Sequence, residues 1–544
     1  MENTRFEILS QEVGNHPDDI NFESTIENES LNSSSYVKHV IGKIIANLEQ
    51  VDLSSFGPSA NLCSATLGAG ILALPFAISS SGIGLGLILL TVAAVSTIIS
   101  IDMLVKSCAT LKQNSYEKLT VILFGNTISW IIEGCIILLC FGTCVAYIVA
   151  VGDILEEGIL GTLRHSNLPS FVNREFVMIL FWALVMFPLS LFEKINALRY
   201  ASLFGVSSIS FLVFAVFYHS IRTYKTHTQI ESDQNIFEVN NFAFTFEKFT
   251  HRRLDTLWGL KLWPESFLDA IKACPIILFA FNCQLNVPAI FDEIKPRHHH
   301  TDFSPVLSMR RVARRGVMIC FIFYTVMGYF AFFEFGNNTQ DNVLKNYCVQ
   351  DTHDPLMIMA FCGITIAIVL GFPLNVLPSR HTLDIIVNRC FHRINLKREN
   401  SSSNIYEVSE FDEPLMLPDM LNDTPEPNLS TSSLTRQSIL HKIKHVMLTL
   451  IISGSALLVA IVVPDISIIF GILGGFASSL IGLIMPASFY LKLGLGDDNK
   501  WMRYAAWILI ISGAMIGLLS TAVTIHSIFQ LEPEEDVCAN SSPK

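Results

Sequence analysis

The sequence predicts an all-α integral membrane protein with eleven transmembrane helices, and three observations lead to that fold class. Of its 544 residues, 51% are hydrophobic and only 15% are charged, whereas a soluble domain carries about 25% charged residues. The apolar residues are gathered in runs of about 20, the length that crosses roughly 30 Å of hydrocarbon. Strand alternation of the outer-membrane barrel type is absent from these runs, so helices must satisfy their backbone groups.

Eleven apolar runs, numbered here as spans 1 to 11, have the required length. They cover residues 56–80, 83–106, 127–151, 175–192, 198–221, 269–291, 316–335, 355–377, 445–463, 466–491 and 504–528. The polar segments around them lack a hydrophobic period and are predicted to be tails and linkers. The predicted organisation is a disordered acidic cytoplasmic tail at 1–54, a transmembrane domain at 55–528 with an external loop at 223–265 and a disordered cytoplasmic loop at 393–440, and an external C-terminal tail at 529–544.

The distribution of basic residues predicts the orientation. With the N-terminus in the cytoplasm, 25 of the 36 lysines and arginines fall on the cytoplasmic side, as the positive-inside rule requires. An odd number of spans then places the C-terminus outside the cell or in a lumen. The acceptor sequences at Asn337 and Asn540 fall on that side, so both are predicted glycosylation sites. The membrane is predicted to be the plasma membrane or an endolysosomal or vacuolar membrane.

Several classes of function are disfavoured by what the sequence lacks. The net charge of −12 and the absence of a basic block argue against nucleic acid as a partner. Most of the twelve cysteines lie in the spans without metal-ligand spacing, so no metal site and no cofactor are predicted. The spans contain no paired aspartates, histidine cluster or serine–base dyad, which argues against an enzyme. The sequence leaves open whether Cys348 forms a disulfide.

Two spans carry interruptions near their middle. Span 1 contains Gly68 and Gly70, and glycine costs about 1 kcal/mol relative to alanine inside a helix; a tight helix-packing seam is the alternative explanation. Span 6 contains Pro275, Pro288 and a polar centre at 282–284. Two interrupted spans lying five apart indicate inverted repeats of five helices, with a binding site near the membrane midplane.

The chemistry of a broken helix indicates the kind of ligand. Each half-helix N-terminus carries about +0.5 charge on free N–H groups, and each C-terminus carries about −0.5 on free C=O groups. An amino acid bears a carboxylate and an ammonium on one carbon. The two kinds of helix end therefore match the two charges of an amino acid.

Several motifs also resemble one known family. "LGAGILALPFA" in span 1, "NSYEKLTVILFG" after span 2, "CFGTCVAYIVAVGD" in span 3, "FAFNCQLNVPAIFDEIK" in span 6, and "GYFAFFEFGNN" and "GFPLNVLPSR" in spans 7 and 8 are similar, in the same order, to motifs of the amino acid/auxin permease superfamily. The closest branch is the neutral amino-acid, or system A/N-like, branch. The resemblance implies a leucine-transporter-type fold, a 5+5 inverted repeat plus one helix, and secondary transport of amino acids.

The candidate site combines both broken spans. Backbone amides of span 1 are predicted to hold the carboxylate: Gly68, Ala69, Gly70 and Ile71. Carbonyls beside the two breaks are predicted to accept from the ammonium: Thr66, Leu67, Ala280 and Phe281. Asn282 and Cys283 lie where span 6 unwinds and are predicted to contact the substrate side chain.

Four residues of spans 3 and 8 are weaker candidates. Thr143 and Tyr147 are four residues apart and share one helix face, where they either cover the site or satisfy their own buried hydroxyls. Phe372 and Asn375 flank Pro373 in span 8. The side chain of Asn375 needs a polar partner in hydrocarbon, supplied either by the site or by another helix.

The resemblance also bears on the driving ion. In sodium-coupled relatives we expect an asparagine at the position of Ser64 and a threonine at the position of Gly371. A hard cation needs several oxygen ligands, and Gly371 offers no side chain, so this ion site is doubtful. We predict transport without obligatory sodium coupling, leaving proton coupling, exchange and facilitated diffusion open.

Two functions remain for the whole chain. The first is a secondary transporter that moves amino acids by alternating access, with the bilayer and its substrate as partners and protons as a candidate third. The alternative is an amino-acid sensor of the same fold, which would signal through cytoplasmic regulators bound to its tails. Deleting the tails while measuring uptake would separate the two.

Overall fold

The computed structural model describes residues 53–156, 173–192, 198–232, 261–294, 304–347, 354–402, 431–463, 465–497 and 499–528. Across these ranges the chain forms helices and turns and contains no strand, in agreement with the predicted all-α class. The tail at 1–52, the centres of the two long loops, Cys348 and the C-terminal tail with Asn540 lie outside the described residues.

The apolar runs of the first half of the sequence become helices with slightly different bounds. Span 1 forms Leu53–Thr66 and Gly70–Ser81, span 2 forms Ile83–Leu111, span 3 forms Tyr116–Leu155, span 4 forms Arg174–Phe181, Trp182–Met186 and Phe187–Ser190, and span 5 forms Leu198–Ser232. The helix of span 5 continues into the segment predicted as an external loop. Within span 3, Gly125 has φ of 75°, a value that favours glycine, and the helix bends there.

The second half follows the same pattern. Span 6 forms Phe267–Ala280, Gln284–Asn286 and Val287–Ile294, span 7 forms Pro305–Phe335, span 8 forms Pro355–Ser402, span 9 forms Thr431–Val462, span 10 forms Ile466–Ile472, Leu473–Ser478, Leu480–Ile484 and Met485–Lys492, and span 11 forms Lys500–Ile528. The helices of spans 8 and 9 extend into both ends of the segment predicted as a disordered loop, so only its centre, 403–430, is outside the described residues.

The number of membrane crossings is supported for ten of the eleven spans. Among the described residues, nine helices are long and apolar enough to cross a membrane, and the bent pair of span 1 forms a tenth. Span 4 is helical but consists of segments of 8, 5 and 4 residues, with a π-helical middle. The count of eleven therefore stays a prediction.

Both predicted interruptions are present. The two helices of span 1 meet at an angle of 56°, with Leu67–Ala69 between them, and span 6 is interrupted at Phe281–Cys283. The breaks lie five spans apart, as the 5+5 arrangement requires. The second helix of span 1 packs against the first helix of span 6, which brings the two interruptions together in the buried core.

Span 10 supports this core with an unusually close backbone contact. A Cβ atom added at Gly474 would lie 1.8 Å from the carbonyl oxygen of Pro275 in span 6, so only glycine fits there. Span 10 contains two π-helical segments, which leave carbonyls outside the regular helical ladder. Side chains of the neighbouring spans bind two of them: Tyr116 donates to Ile481 at 2.7 Å, and Ser100 donates to Gly482.

Candidate binding site

The break in span 1 exposes backbone amides at the start of a twelve-residue helix. The N–H of Gly68 donates to the carbonyl of Thr66 at 3.0 Å, and that of Ile71 donates to the carbonyl of Gly68 at 3.3 Å. Within the ranges that the structure describes, no acceptor is found for the N–H groups of Ala69 and Gly70. Of the four amides predicted to hold a carboxylate, these two are the ones left to bind an anion at the helix N-terminus.

The break in span 6 presents polar groups from the opposite side. Asn282 donates its amide N–H to the carbonyl of Phe279 at 3.0 Å, and its side-chain Nδ2 donates to Oγ of Ser478 in span 10 at 2.9 Å. Its side-chain Oδ1 is buried and has no partner among the described residues. Asn282 lines the cavity between the breaks, but this oxygen itself is inaccessible to solvent, so a ligand donor could reach it only after the side chain changed its rotamer.

A buried tyrosine of span 7 connects the two breaks. The hydroxyl oxygen of Tyr324 lies 2.7 Å from the carbonyl oxygens of both Thr66 and Ala280, although its single proton can serve only one of them at a time. These are two of the carbonyls predicted to accept from an ammonium. Sequence analysis missed Tyr324, and the available signal was a hydroxyl near the middle of an apolar run, where it requires a polar partner.

The breaks face a cavity of about 1000 Å³. Most of the predicted site residues line it, including Thr143 and Asn375 and both residues of the doubtful ion site: Ser64, Thr66, Leu67, Gly68, Ala69, Gly70, Thr143, Tyr147, Ala280, Asn282, Cys283, Gly371 and Asn375. Ile71, Phe281 and Phe372 do not line the cavity, because each side chain is fully buried in the protein core. Phe281 packs edge-on against Tyr324, with ring centroids 5.0 Å apart.

Tyr147 fills the space between spans 1 and 8. Its hydroxyl would lie 3.1 Å from a Cβ at Gly68, and its ring would lie 3.1 Å from a Cβ at Gly371. Asn375, on the same span as Gly371, donates to the carbonyl of Gly371 at 3.1 Å. A side chain at position 371 would therefore meet Tyr147.

The other two polar candidates, Thr143 and Ser64, lie next to residues other than Tyr147 and Gly371. Thr143 donates its hydroxyl to the carbonyl of Leu139 in its own helix at 2.7 Å, which is one of the two roles predicted for it. The Ser64 hydroxyl lies 3.9 Å from a Cβ placed at Gly205 of span 5. Ser64 and Gly371 thus face different neighbours across the cavity.

Charged groups line the cavity only toward one end of the molecule, which we call the open mouth. The charged and histidine side chains there come from the ends of spans 3, 6, 8 and 9: Glu117, Glu293, Arg380, His381, Asp384, Lys444 and His445. Asn61 donates to Glu293 at 3.2 Å, and Lys444 pairs with Asp384. At the level of the two breaks, the described residues that line the cavity are uncharged.

The opposite end of the molecule, which we call the closed end, is filled by buried ion pairs. Asp153 at the end of span 3 accepts from Arg174 of span 4 at 2.7 Å and from Asn342 at 2.9 Å. Lys345 lies 3.1 Å from Asp341, whose other oxygen accepts from the backbone N–H of Ile466 at 2.7 Å. These contacts join spans 3, 4 and 10 to the segment that follows span 7.

One further carboxylate lies between spans 9 and 10 at the closed end. Burial raises the pKa of Asp465, and the negative charge of Asp341 raises it further, while the positive charge of Lys345 opposes the shift. Asp465 precedes the helix Ile466–Ile472 without capping it through its side chain.

Comparison with known proteins assigns a family to this architecture. Residues 54–529 match the family described as transmembrane amino acid transporter protein. The chain is 26% identical over 445 residues to the vacuolar amino acid transporter 5 of Saccharomyces cerevisiae, covering 78% of this chain and 86% of that protein. It is 24% identical to the amino acid transporter AVT6E of Arabidopsis thaliana, covering 88% and 84%. Among solved structures, a manganese transporter from Eremococcus coleocola aligns over 89% of both chains with a TM-score of 0.49 and 14% identity.

Proposed function

The chain belongs to the transmembrane amino acid transporter protein family, and we propose that it carries amino acids with uncharged side chains across its membrane by alternating access, without an obligatory sodium gradient. Members of this family are transporters, not enzymes. The observation that carries the proposal is the pairing of the two broken spans on one cavity, with the unpaired amides of span 1 on one side and the polar break of span 6 on the other.

The polar groups at the breaks support the orientation of the substrate. The N–H groups of Ala69 and Gly70 would bind the carboxylate, aided by the positive end of the helix dipole. The carbonyls beside the breaks would accept from the ammonium. A small residue at Gly70 keeps the approach open, because a Cβ there would already lie 3.2 Å from Cα of Ala280.

The uncharged walls at the level of the breaks support the choice of side chain. A charged substrate side chain would be desolvated there without a partner of opposite sign, which is costly at low dielectric. The charges of the open mouth lie on spans 3, 6, 8 and 9; on span 8, Arg380 follows Asn375 by more than one helical turn. They would attract a zwitterion to the entrance without binding its side chain at the site.

The two ends of the molecule support alternating access. We place the open mouth on the cytoplasmic side, because the basic loops are on that side, and the closed end on the external or lumenal side. The yeast relative is named a vacuolar amino acid transporter, so we favour a vacuolar or endolysosomal membrane. In this state the substrate site would communicate with the cytoplasm only.

The absence of a sodium requirement rests on the neighbourhood of Gly371. The ring of Tyr147 fills the space beside that residue, and Ser64 faces span 5 on another wall. Gly371 therefore supplies no side-chain oxygen to a cation cage from span 8, and Ser64 supplies a hydroxyl where an asparagine is expected in sodium-coupled relatives. Proton coupling, exchange and facilitated diffusion remain the available modes.

The proposal is tested by uptake of a radiolabelled amino-acid panel into liposomes that contain the purified full chain. We expect uptake or exchange of neutral amino acids, and a change below tenfold when choline replaces sodium at constant pH. Transport of no amino acid would overturn the proposed function. A fall of more than about tenfold without sodium, equivalent to roughly 1.4 kcal/mol of coupling, would overturn sodium independence alone.

Substitution of Gly70 tests the site itself. The branched side chain of Gly70→Val would overlap Ala280 and Phe279 and cover the free amides, so we expect uptake to be lost while the protein still reaches the membrane. Near-normal uptake by Gly70→Val would show that the break is only a packing seam.

A further inference from the structure

A second cluster of titratable groups at the closed end lies apart from the ion pairs around Asp153. Nδ1 of His219 in span 5 lies 2.5 Å from Oε1 of Glu334 in span 7. Thr223 donates its hydroxyl to the same carboxylate oxygen at 3.2 Å, and Tyr347 donates to Oε2 at 3.1 Å. The carboxylate of span 7 thus receives two donors from span 5 and one from the segment Val343–Tyr347.

The surroundings of this pair favour a bound proton. The side chain of Glu334 is only 4% exposed, and a buried carboxylate requires compensation of its charge. At 2.5 Å the nitrogen and oxygen lone pairs would repel each other unless a proton lay between them. The other charges near the pair are Arg222 of span 5 and Asp354 at the start of span 8, which lie 3.7 Å from each other and oppose each other in sign.

The pair also lies where the closed end must part. Val343–Tyr347 packs against the second helix of span 1 and against span 3, so it covers the route from the breaks to this end of the molecule. Ser220, one residue after His219, donates to the carbonyl of Phe330 in span 7 at 3.1 Å. Opening this end would separate the elements that His219, Glu334 and Tyr347 join.

We propose that Glu334 and His219 form a proton-binding site that couples closure of this end to the pH of the solution bathing it. The inference rests on alternating access as proposed above and names the proton as its regulating ion. Closure brings the imidazole against the carboxylate, with one proton shared between Nδ1 and Oε1. Opening exposes the side chains of His219 and Glu334 to water. At any pH at which the free imidazole of His219 is neutral, opening also releases the shared proton.

The direction of the pH effect follows from the proton count. An unpaired histidine is neutral above about pH 6.5, so above that value closure takes up one proton. The ratio of the population with this end open to the population with it closed therefore increases by as much as about tenfold for each unit of increase in pH. Between about pH 4.5 and 6.5 both states bind the same protons, and the balance is independent of pH.

Sequence analysis did not single out either residue of this pair. Both residues lie within predicted spans, and an ionisable residue inside a span is a functional suspect by default. The signal was present but unused, because nothing in the sequence shows that positions 219 and 334 meet.

A thiol beside the pair reports opening without depending on transport. Ser220 is buried, so Ser220→Cys should react with a membrane-impermeant maleimide only when the closed end opens. We compare labelling of Ser220→Cys with Ser220→Cys/His219→Asn in liposomes at pH 6 to 8.5, and subtract labelling of the native cysteines in the unmodified chain. The ratio of the two variants at each pH cancels the intrinsic reactivity of the thiol.

Above pH 6.5 we expect the labelling rate of Ser220→Cys, divided by that of Ser220→Cys/His219→Asn, to rise by up to about tenfold per pH unit. We call this rise the excess. Glu334→Gln, which keeps the shape but removes the charge, should abolish the same excess. His526→Asn is the matched control: His526 is exposed in the last turn of span 11, and its loss should leave the excess unchanged.

Two results would overturn the proton site: equal pH profiles with and without His219, or an excess that persists in Glu334→Gln. If the excess appears as expected but no amino acid enters the liposomes, the proton site stands and the proposed transport function fails. If uptake occurs and the labelling excess is absent, the transport function stands and the proton site fails.

Discussion

The open mouth and the closed end use charged residues in opposite ways. At the open mouth, Lys444 and Asp384 pair while about 40% of each side chain stays exposed, and the charges line a cavity that reaches solvent. At the closed end, the carboxylates of Asp153 and Glu334 are almost fully buried. Exposed ion pairs contribute little to stability, whereas breaking a buried pair is costly because it leaves a buried charge without its partner. The closed end is therefore expected to contribute more than the open mouth to the stability of this conformation.

The largest expected difference comes from removing one carboxylate at each end. Asp153→Ala would deprive Arg174 and Asn342 of their buried acceptor, so we expect the free energy of unfolding to fall by about 3–5 kcal/mol. Asp384→Ala, the matched change at the open mouth, should cost about 0–1 kcal/mol. Denaturant unfolding of the full chains in detergent measures both. Equal losses would contradict the contrast between the two ends.

The hydroxyl of Tyr324 is the next test, because it joins the two breaks between the ends. Tyr324→Phe removes the hydroxyl that the buried carbonyls of Thr66 and Ala280 share, which should cost about 1–3 kcal/mol and reduce uptake. Tyr329→Phe is the control, since its hydroxyl donates to the carbonyl of Ile83 at 2.6 Å away from the cavity. If both variants lose stability but only Tyr324→Phe loses uptake, the hydroxyl has a role in arranging the site. A similar loss of uptake in both would assign the effect to stability alone.

A smaller effect on stability is expected from substitution of Asp465, and this effect should depend on pH. A carboxyl whose pKa is raised by folding destabilises the folded state above that pKa, and the penalty disappears as pH falls below the ordinary value of about 3.9. Asp465→Asn should therefore raise the melting temperature slightly at pH 7, and the gain should shrink on acidification. A gain that grows toward acid pH would show that the charge of Asp465 is stabilising.

The smallest effect on stability is expected from the glycan that distinguishes the two sides of the membrane. Asn337 lies exposed in the turn after span 7, at the closed end, so deglycosylation should reduce the mass of the wild type, and the reduction should be smaller in Asn337→Gln, which keeps Asn540 as an acceptor. Asn400→Gln, on the predicted cytoplasmic side, is the control and should still shift. Glycosylation at Asn400 would invert the proposed orientation.

Most of the architecture could be predicted because it depends on the sequence of each segment by itself. Long apolar runs specify the spans, and glycines or prolines near a polar centre specify the breaks at 67–69 and 281–283. Span 4 was harder, because its helix is interrupted by a π-helical segment and is shorter than its apolar run. The bounds of spans 5, 8 and 9 were underestimated, because helices continue into polar sequence that hydropathy cannot assign.

The site could be predicted only as far as backbone and local sequence determine it. The free amides of Ala69 and Gly70 follow from the break itself. The bridge made by Tyr324 and the pair of His219 with Glu334 depend on contacts between residues 44 to 258 positions apart, and no local pattern encodes such distances. The buried positions of Ile71, Phe281 and Phe372 likewise depend on the rotation of each helix within the bundle.

The contact between Gly474 and Pro275 also limits how the molecule can move. Two helices whose backbones touch without any side chain between them have no clearance for sliding, since a shift along either axis would drive a neighbouring residue into the gap. Span 10 and the helix Phe267–Ala280 are thereby left with rotation about this point as their low-cost relative motion. A transport cycle that opens the closed end must therefore either rotate span 10 relative to the helix Phe267–Ala280 about the contact at Gly474, or move the two helices together as one unit.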